Sequence, residues 1–386
     1  MRLTAARSSV AIQGVRMGVN TGRVAAGQAL GVLQAGWAAQ KAGLLRTAYM
    51  LHGKPGVGKT QIVETLARQI GAKLYDVRLT TIEPQDLRGL PYYDHDAQTT
   101  KWYRPEDLPR DPDHPAVLFL DELTSAAPQI QPTVYGLLQE RRVGTHVLPD
   151  SVFLVAAGNQ VEDGAVAYDM GTGLSDRLIH IAVQAQAADW LENFALPKGL
   201  HPAVQSFIKI RPDLLDTTDA ILSDGLMIAC TPRSWERVSD ILNAVQDRRL
   251  RNIMVSGTVG DAVAADFAIV ADDVSATVQV AEMLDASPAD RIALYPASLH
   301  GLTALIYGLV GALTRETAAD VVQVMAAIRT LGGRRADLAG LPLGELSTYG
   351  YEALRRKGLA DGLADAFLAS PDYQAYQKDR EEMGLA

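Results

Sequence analysis

The sequence has a single cysteine, Cys230, among its 386 residues. A lone cysteine excludes an intramolecular disulfide and suits the reducing cytoplasm, which is the predicted location. The 7 histidines show no metal-ligand spacing, so we do not expect a structural zinc site. No apolar run approaches the roughly 20 residues of a membrane helix, and we therefore expect no membrane insertion.

Basic residues are outnumbered by acidic ones, which gives a net charge of −9. This balance argues against nucleic acid as a partner, because such binding normally begins with a basic patch that displaces counterions. The acidic residues are missing from the start of the chain, where none precedes Glu64. Arginines in a Ser/Gly/Ala-rich start fit either a transit peptide or a short basic tail, and we predict a disordered tail over residues 1–26.

What the sequence does contain is a complete phosphate-binding loop. It follows the apolar stretch Ala48–Leu51, precedes an amphipathic helix pattern, and reads Gly53-Lys54-Pro55-Gly56-Val57-Gly58-Lys59-Thr60, with Gln61 next. In such a loop the glycines turn backbone N–H groups toward the phosphates, Lys59 reaches the β and γ phosphates, and Thr60 offers its hydroxyl to Mg²⁺. The sequence therefore predicts that ATP and Mg²⁺ bind at residues 53–61.

Two later apolar runs end in polar residues. The run Ala116–Leu120 is followed by Asp121, which can hold Mg²⁺, and by Glu122, which can polarise the water that attacks the γ phosphate. A further run, Ser151–Ala157, ends in Gly158 and Asn159, and an asparagine there can orient the same water. Each pattern alone also fits an ordinary strand with a solvated end or a turn. The preceding phosphate loop favours the catalytic interpretation.

Together these motifs resemble the AAA+ ATPases, and within them the MoxR and dynein-related branch. The resemblance covers roughly residues 28 to 290 and includes Leu174-Ser175-Asp176-Arg177-Leu178 and Thr231-Pro232-Arg233-Ser234-Trp235. It implies that Arg177 is an arginine finger for the neighbouring subunit, and that Arg233 is a sensor touching the γ phosphate of its own subunit. Alternatively, Arg177 is a surface arginine paired with Asp176 or Glu162, and Arg233 begins a helix without a ligand.

The resemblance also implies an α/β fold of the P-loop NTPase type. We expect an αβα core with a parallel five-stranded sheet over residues 27–185, an α-helical lid over 186–290 and a helical C-terminal extension over 291–386. Helical patterns within the lid predict helices over 232–246 and 255–269. An insert at about 81–110 carries four aromatics that either grip a protein substrate or pack within their own hairpin. These are Tyr92, Tyr93, Trp102 and Tyr103.

The function implied by the resemblance is Mg-dependent ATP hydrolysis by a homo-oligomeric ring, hexameric by expectation. The work would be remodelling or maturation of a protein partner, which in this branch often carries a von Willebrand factor A domain. One alternative is a nucleic-acid-associated motor or restriction-type subunit, against which the acidic charge counts. Another is a nucleotide-gated scaffold without hydrolysis. The intact Lys59, Asp121, Glu122 and Asn159 count against the scaffold.

Overall fold

The structure is a computed structural model that describes residues 19–159, 175–368 and 370–382. The first 18 residues of the predicted basic tail therefore lie outside the described residues. The chain divides into two compact units, one of residues 1–24, 28–55 and 59–184 and another of residues 25–27, 56–58 and 185–386. No helix among the described residues is both long and apolar enough to span a bilayer.

The first unit is built on a six-stranded sheet. Its strands are β1 Arg23–Val24, β2 Ala48–His52, β3 Lys73–Arg78, β6 Ala116–Asp121, β9 Val152–Gly158 and β10 Leu178–Val183. They lie in the order β1-β10-β2-β9-β6-β3, and every pairing between neighbours is parallel. The predicted parallel sheet is thus confirmed.

The predicted number of five strands is wrong by one. The additional strand is β1, in which Arg23 and Val24 pair with Ala182 and Val183 at the edge of the sheet. Two residues are too few to show the alternation that identifies a strand in a sequence. The buried strands β6 and β9 were recognisable because strands covered on both faces are continuous apolar runs.

Helices and two small hairpins complete the first part of the chain. The helices are α1 Ala26–Lys41, α2 Lys59–Gln69, α3 Pro84–Arg88 and α4 Gln131–Glu140. The insert forms an antiparallel hairpin of β4 Pro91–Asp94 and β5 Thr99–Trp102, and β7 Arg142–Val143 pairs with β8 His146–Val147. Within the insert Tyr92 stacks on Tyr103 at 4.4 Å, whereas Tyr93 is 74% exposed. The stacked pair packs as expected for an ordinary hairpin.

The second unit is helical in its described residues. Its longer helices are Pro202–Ile210, Pro232–Ala244, Arg248–Val259, Asp261–Thr277, Leu299–Gly311, Ala318–Ile328, Leu343–Ala360 and Pro371–Glu382, and its shorter ones are Ala187–Trp190, Leu196–Lys198, Thr218–Ser223, Val280–Asp285, Arg291–Leu294 and Ala364–Leu368. One hydrophobic core runs from Trp190 to Tyr376 and so includes residues on both sides of the predicted boundary at 290. The division into lid and extension stays a prediction.

The predicted helix over 255–269 is wrong, because a break at Gly260 separates two helices there. Gly260 has a φ of 86°, a backbone conformation that glycine adopts readily and other residues rarely adopt. Arg248–Val259 ends before it and Asp261–Thr277 begins after it. The apolar period continues across the glycine, which is why the sequence pattern concealed the break.

Candidate nucleotide site

The phosphate loop joins a buried strand to a helix. All five residues of β2 are buried, and the loop leaves the strand at the carboxyl edge of the sheet. Gly56 and Gly58 have φ values of 82° and 99°, so both positions favour glycine. Helix α2 begins at Lys59, and its first backbone N–H groups give the loop a positive end that attracts phosphate.

The side chain of Lys59 folds into the loop and reaches the end of the neighbouring strand. Its Nζ donates to the carbonyl oxygens of Gly53 at 2.5 Å and Lys54 at 3.1 Å, and to Oδ1 of Asn159 at 2.8 Å. Lys59 is only 9% exposed. Two predicted site residues, Lys59 and Asn159, are therefore in direct contact.

The two acids follow β6 at the same edge. Asp121 is 7% exposed, and its Oδ1 accepts a hydrogen bond from the backbone N–H of Glu122 at 2.8 Å. The Glu122 carboxylate accepts a hydrogen bond from Thr80 Oγ1 and lies 3.8 Å from Arg78 Nε. Thr80 and Arg78 thus fix where the proposed base points.

Hydrogen bonds connect these strand ends to one another. The N–H of Gly53 donates to the carbonyl oxygen of Gly158 at 3.4 Å, which links the phosphate loop to β9. Thr124, in the turn after Glu122, donates its hydroxyl to the carbonyl oxygen of Asn159 at 2.9 Å. Asn159 is therefore bonded both to the phosphate loop and to the turn that carries the acids.

Arg177 lies at the opposite edge of the sheet. It immediately precedes β10, whose first residue, Leu178, pairs with Ala48 at the start of β2. Thr47 Oγ1 donates to the Arg177 carbonyl oxygen at 3.1 Å, and Arg177 Nη1 donates to Gln139 Oε1 at 3.1 Å. Between this position and the phosphate loop lie roughly 20 Å of strand, because a parallel strand rises about 3.3 Å per residue. An arginine side chain cannot cover that distance.

Arg233 lies in the first turn of the helix Pro232–Ala244 in the second unit. Thr231 caps this helix, since its side chain accepts from the N–H of Ser234 at 3.1 Å. Gly56 is grouped with the same unit, and a Cβ built on it would lie 3.5 Å from the Cβ of Arg233. The sensor role of Arg233 stays a prediction.

Comparison with known proteins bears on this site. Residues 48–169 match the model of the AAA domain of the dynein-related subfamily. The chain is also 29% identical over 143 residues to the chaperone MoxR1 of Mycobacterium tuberculosis, with 36% of each protein covered. Both similarities support a MoxR-like AAA+ ATPase.

Two further proteins resemble this chain. The uncharacterized protein YeaC of Bacillus subtilis is 32% identical over 119 residues, which cover 29% of this chain and 35% of that protein. A RuvB mutant of Thermotoga maritima, known from its structure, is 14% identical with a TM-score of 0.33, and 87% of each chain is covered. The chain thus spans about a third of the length of the curated relatives that it matches.

The oxygen atoms of the two predicted metal ligands, Thr60 and Asp121, suit Mg²⁺. The protein supplies the Thr60 hydroxyl and the Asp121 carboxylate, and Mg²⁺ prefers hard oxygen ligands, of which phosphates and waters provide the remainder. Within the described ranges no three His, Cys, Asp or Glu side chains cluster as a metal site. A magnesium ion here would therefore depend on the nucleotide for part of its coordination.

The sequence reasoning missed several residues that shape the site, namely Arg78, Thr80, Thr124 and Gly158. Thr80 could have been found, because it follows β3, the parallel neighbour of β6, and the carboxyl ends of neighbouring parallel strands meet at one edge. Gly158 was noted only as the residue before Asn159. Its role depends on the packing of Thr124, which no local pattern reveals.

We expect Gly158→Ala to disturb Asn159 and the turn after Glu122 together. A Cβ at this position would lie 2.6 Å from Thr124 Oγ1 and 2.9 Å from Met50 Cε, so these neighbours must move. The misplacement should lower ATP turnover by about a hundredfold, and the overpacking should destabilise the fold by about 1–3 kcal/mol. Initial rates and thermal unfolding measure the two effects.

Gly31→Ala is the matched control, because a Cβ there meets nothing within 4 Å and the residue lies in helix α1. This variant should keep its turnover and gain slightly in stability, since alanine favours helix over glycine. Normal turnover and unfolding temperature in Gly158→Ala would show that the strand end tolerates a side chain.

Proposed function

We propose that this AAA+ chain hydrolyses ATP with Mg²⁺ at a site that a second copy of the chain completes. One observation carries the proposal. Lys59, Asp121, Glu122 and Asn159 converge at the carboxyl edge of the sheet, whereas Arg177 lies at the amino edge. A subunit so built holds a binding site on one edge of the sheet and an exposed arginine on the other.

The contacts support a distinct role for each residue at the carboxyl edge. Lys59 and the loop N–H groups would hold the β and γ phosphates, while Asn159, already bonded to Lys59, would orient the attacking water. Glu122 would accept the proton of that water. Its placement by Thr80 and Arg78 keeps the carboxylate at the edge of the sheet where the γ phosphate is expected.

Thr60 and Asp121 are the residues that would hold Mg²⁺. When bound, the ion neutralises charge that develops on the phosphate oxygens. The backbone N–H of Glu122 donates to one Asp121 oxygen, which fixes the carboxylate and leaves its other oxygen for a ligand or a bridging water. This hydrogen bond agrees with a role for Asp121 in holding a metal and not in accepting the proton of the attacking water.

The position of Arg177 supports a ring. A head-to-tail contact brings two different surfaces together, and such contacts close into rings when the rotation between subunits allows it. In this arrangement the amino edge of one subunit would face the nucleotide of the next, and Arg177 would stabilise charge in the transition state. We propose a hexamer by analogy with the family.

Protein remodelling is proposed from similarity to the chaperone MoxR1 and from the insert. Tyr93 of strand β4 is 74% exposed, so it is available to contact a polypeptide. A partner with a von Willebrand factor A domain remains a family-based proposal. A salt-dependent DNA-binding assay separates this function from the nucleic-acid alternative.

The test is ATP turnover of the purified protein across a concentration series, with the molar mass measured at every point. Specific activity should rise with assembly, because isolated subunits lack the neighbour's arginine. Glu122→Gln, which should bind ATP and turn it over at least about a hundredfold more slowly, controls for contaminating ATPases. Constant specific activity from monomer to full assembly would contradict a site completed by a neighbour.

A further inference from the structure

Two histidines, of which His52 is buried and His180 is partly buried, connect the phosphate-loop strand to the strand that follows Arg177. His52 is the last residue of β2 and is 3% exposed, and His180 lies in the adjacent parallel strand β10. His52 Nε2 and His180 Nδ1 are 2.7 Å apart, and the ring centroids are 5.0 Å apart at an angle of 21°. This is a hydrogen bond between stacked imidazoles.

The other nitrogen of His180 binds the turn before Arg177. His180 Nε2 lies 2.8 Å from the carbonyl oxygen of Ser175 and 3.2 Å from its hydroxyl oxygen. A carbonyl oxygen only accepts, so the proton belongs on His180 Nε2. In a neutral imidazole Nδ1 is then an acceptor, and His52 Nε2 must be the donor to it.

The order of donors is therefore set along the whole chain of contacts. Burial above all lowers the pKa of His52 to about 3, so His52 stays neutral near pH 7. His52 donates to His180, and His180 donates to the Ser175 backbone. A buried polar group such as His52, with its hydrogen bond satisfied, holds its partner in one geometry.

The two ends of this series of hydrogen bonds lie beside two parts of the proposed site, namely the phosphate loop and the segment that carries Arg177. His52 adjoins Gly53, whose carbonyl oxygen accepts from Lys59 Nζ. Ser175 lies two residues before Arg177, whose own carbonyl oxygen is held by Thr47. The contacts thus run within one subunit from its nucleotide loop to the arginine segment at the other edge of the sheet.

We propose that His180 is a positioning residue for Arg177, and that through His52 it ties the arginine segment to the phosphate loop of the same subunit. The inference rests on the proposed trans role of Arg177. A substitution of His180 should therefore slow hydrolysis at the nucleotide site of the neighbouring subunit and not at the site of its own subunit. A histidine that served packing alone would have no such directional effect.

The test is His180→Leu, which places an apolar side chain at the site and removes the hydrogen bonds of both ring nitrogens. ATP affinity should stay within about twofold of wild type, and turnover of the assembly should fall about tenfold to a hundredfold, the range that a misplaced group can produce. Mixing His180→Leu with Glu122→Gln subunits should restore activity, because an intact Arg177 then serves an intact site. His180→Gln, which can still donate to Ser175, should retain more turnover than His180→Leu.

A double variant gives the second readout. If His180 acts through Arg177, His180→Leu should cause no further loss in an Arg177→Ala background. Three results would each overturn the positioning role: unchanged turnover of His180→Leu, an additive loss in the double variant, or no recovery on mixing when Arg177→Ala subunits do recover. Thermal unfolding of His180→Gln shows whether that variant folds. If it folds but turns over ATP as slowly as His180→Leu, the result also contradicts the proposal.

The proposed function can fail separately. If Arg177→Ala turned over like wild type, the trans mechanism and the inference that rests on it would both fall. If Arg177→Ala lost turnover and mixing restored it while His180→Leu behaved as wild type, only the role of His180 would be lost. The three variants measured side by side therefore distinguish the two ideas.

Discussion

Arg177→Ala should lower ATP turnover of the assembled protein by about 10³-fold or more, the range of effects measured for arginine fingers. Nucleotide affinity should be almost unchanged, because Arg177 lies at the amino edge of its own sheet, away from its own phosphate loop. Arg177 is exposed and its guanidinium donates to Gln139 at the surface, so the fold should be little affected. Steady-state hydrolysis and equilibrium binding of a fluorescent ATP analogue measure the two quantities.

Mixing provides the decisive version of this experiment. Subunits with Arg177→Ala keep Glu122, and subunits with Glu122→Gln keep Arg177, so a head-to-tail assembly of both contains some complete sites. Random mixing at equal amounts makes roughly a quarter of such interfaces complete. Activity well above either parent supports action in trans, whereas a mixture as inactive as its parents means that Arg177 does not serve a neighbour or that all sites must act together.

Arg46→Ala is a matched control for the arginine. It removes another guanidinium from the amino edge, where Arg46 forms an exposed ion pair with Asp150. An exposed ion pair contributes little to stability, so turnover and unfolding temperature should stay close to wild type. An equal loss in both variants would point to a general effect of charge at this edge.

Lys59→Ala should abolish measurable ATP binding, an affinity loss of at least about 10²-fold. The change removes an ammonium that would contact the phosphates, and a charge-assisted hydrogen bond contributes about 1.5–3 kcal/mol. It also leaves Gly53, Lys54 and Asn159 without the donor that now holds them together. Isothermal titration with ATP and Mg²⁺ measures the loss.

Arg68→Ala is the control for Lys59→Ala, since it deletes one positive charge from the last turn of the same helix. Its ATP affinity should match wild type. Tight ATP binding by Lys59→Ala would remove the loop from the nucleotide site altogether. Equal losses in both variants would indicate that helix α2 had been destabilised.

The sequence predicted the elements whose signals are local. Buried parallel strands are continuous apolar runs, and a phosphate loop has a fixed spacing, so β2, β6, β9 and the start of α2 were recognisable. The edge strand β1 was not, because its two residues depend on β10 for their pairing. Gly260 was overlooked for a related reason, since its effect depends on a backbone angle and not on hydrophobicity.

Within the site, sequence reasoning gave the residue types but not their partners. That Lys59 contacts Asn159 follows from the adjacency of β2 and β9, which are separated by a hundred residues along the chain. The contact of Glu122 with Thr80 likewise depends on β3 lying beside β6. The histidine pair was invisible, because neither residue has a spacing that indicates a ligand or a catalytic group.

The backbone conformation of Glu122 costs the fold some stability. Its φ and ψ are 59° and 33°, a left-handed conformation that costs a residue with a side chain about 1–3 kcal/mol. Glycine would adopt it without that strain, so the fold alone would favour glycine here. At residue 122, stability therefore favours glycine whereas the proposed catalysis requires an acid. The fold is less stable with Glu122 than it would be with glycine at this position.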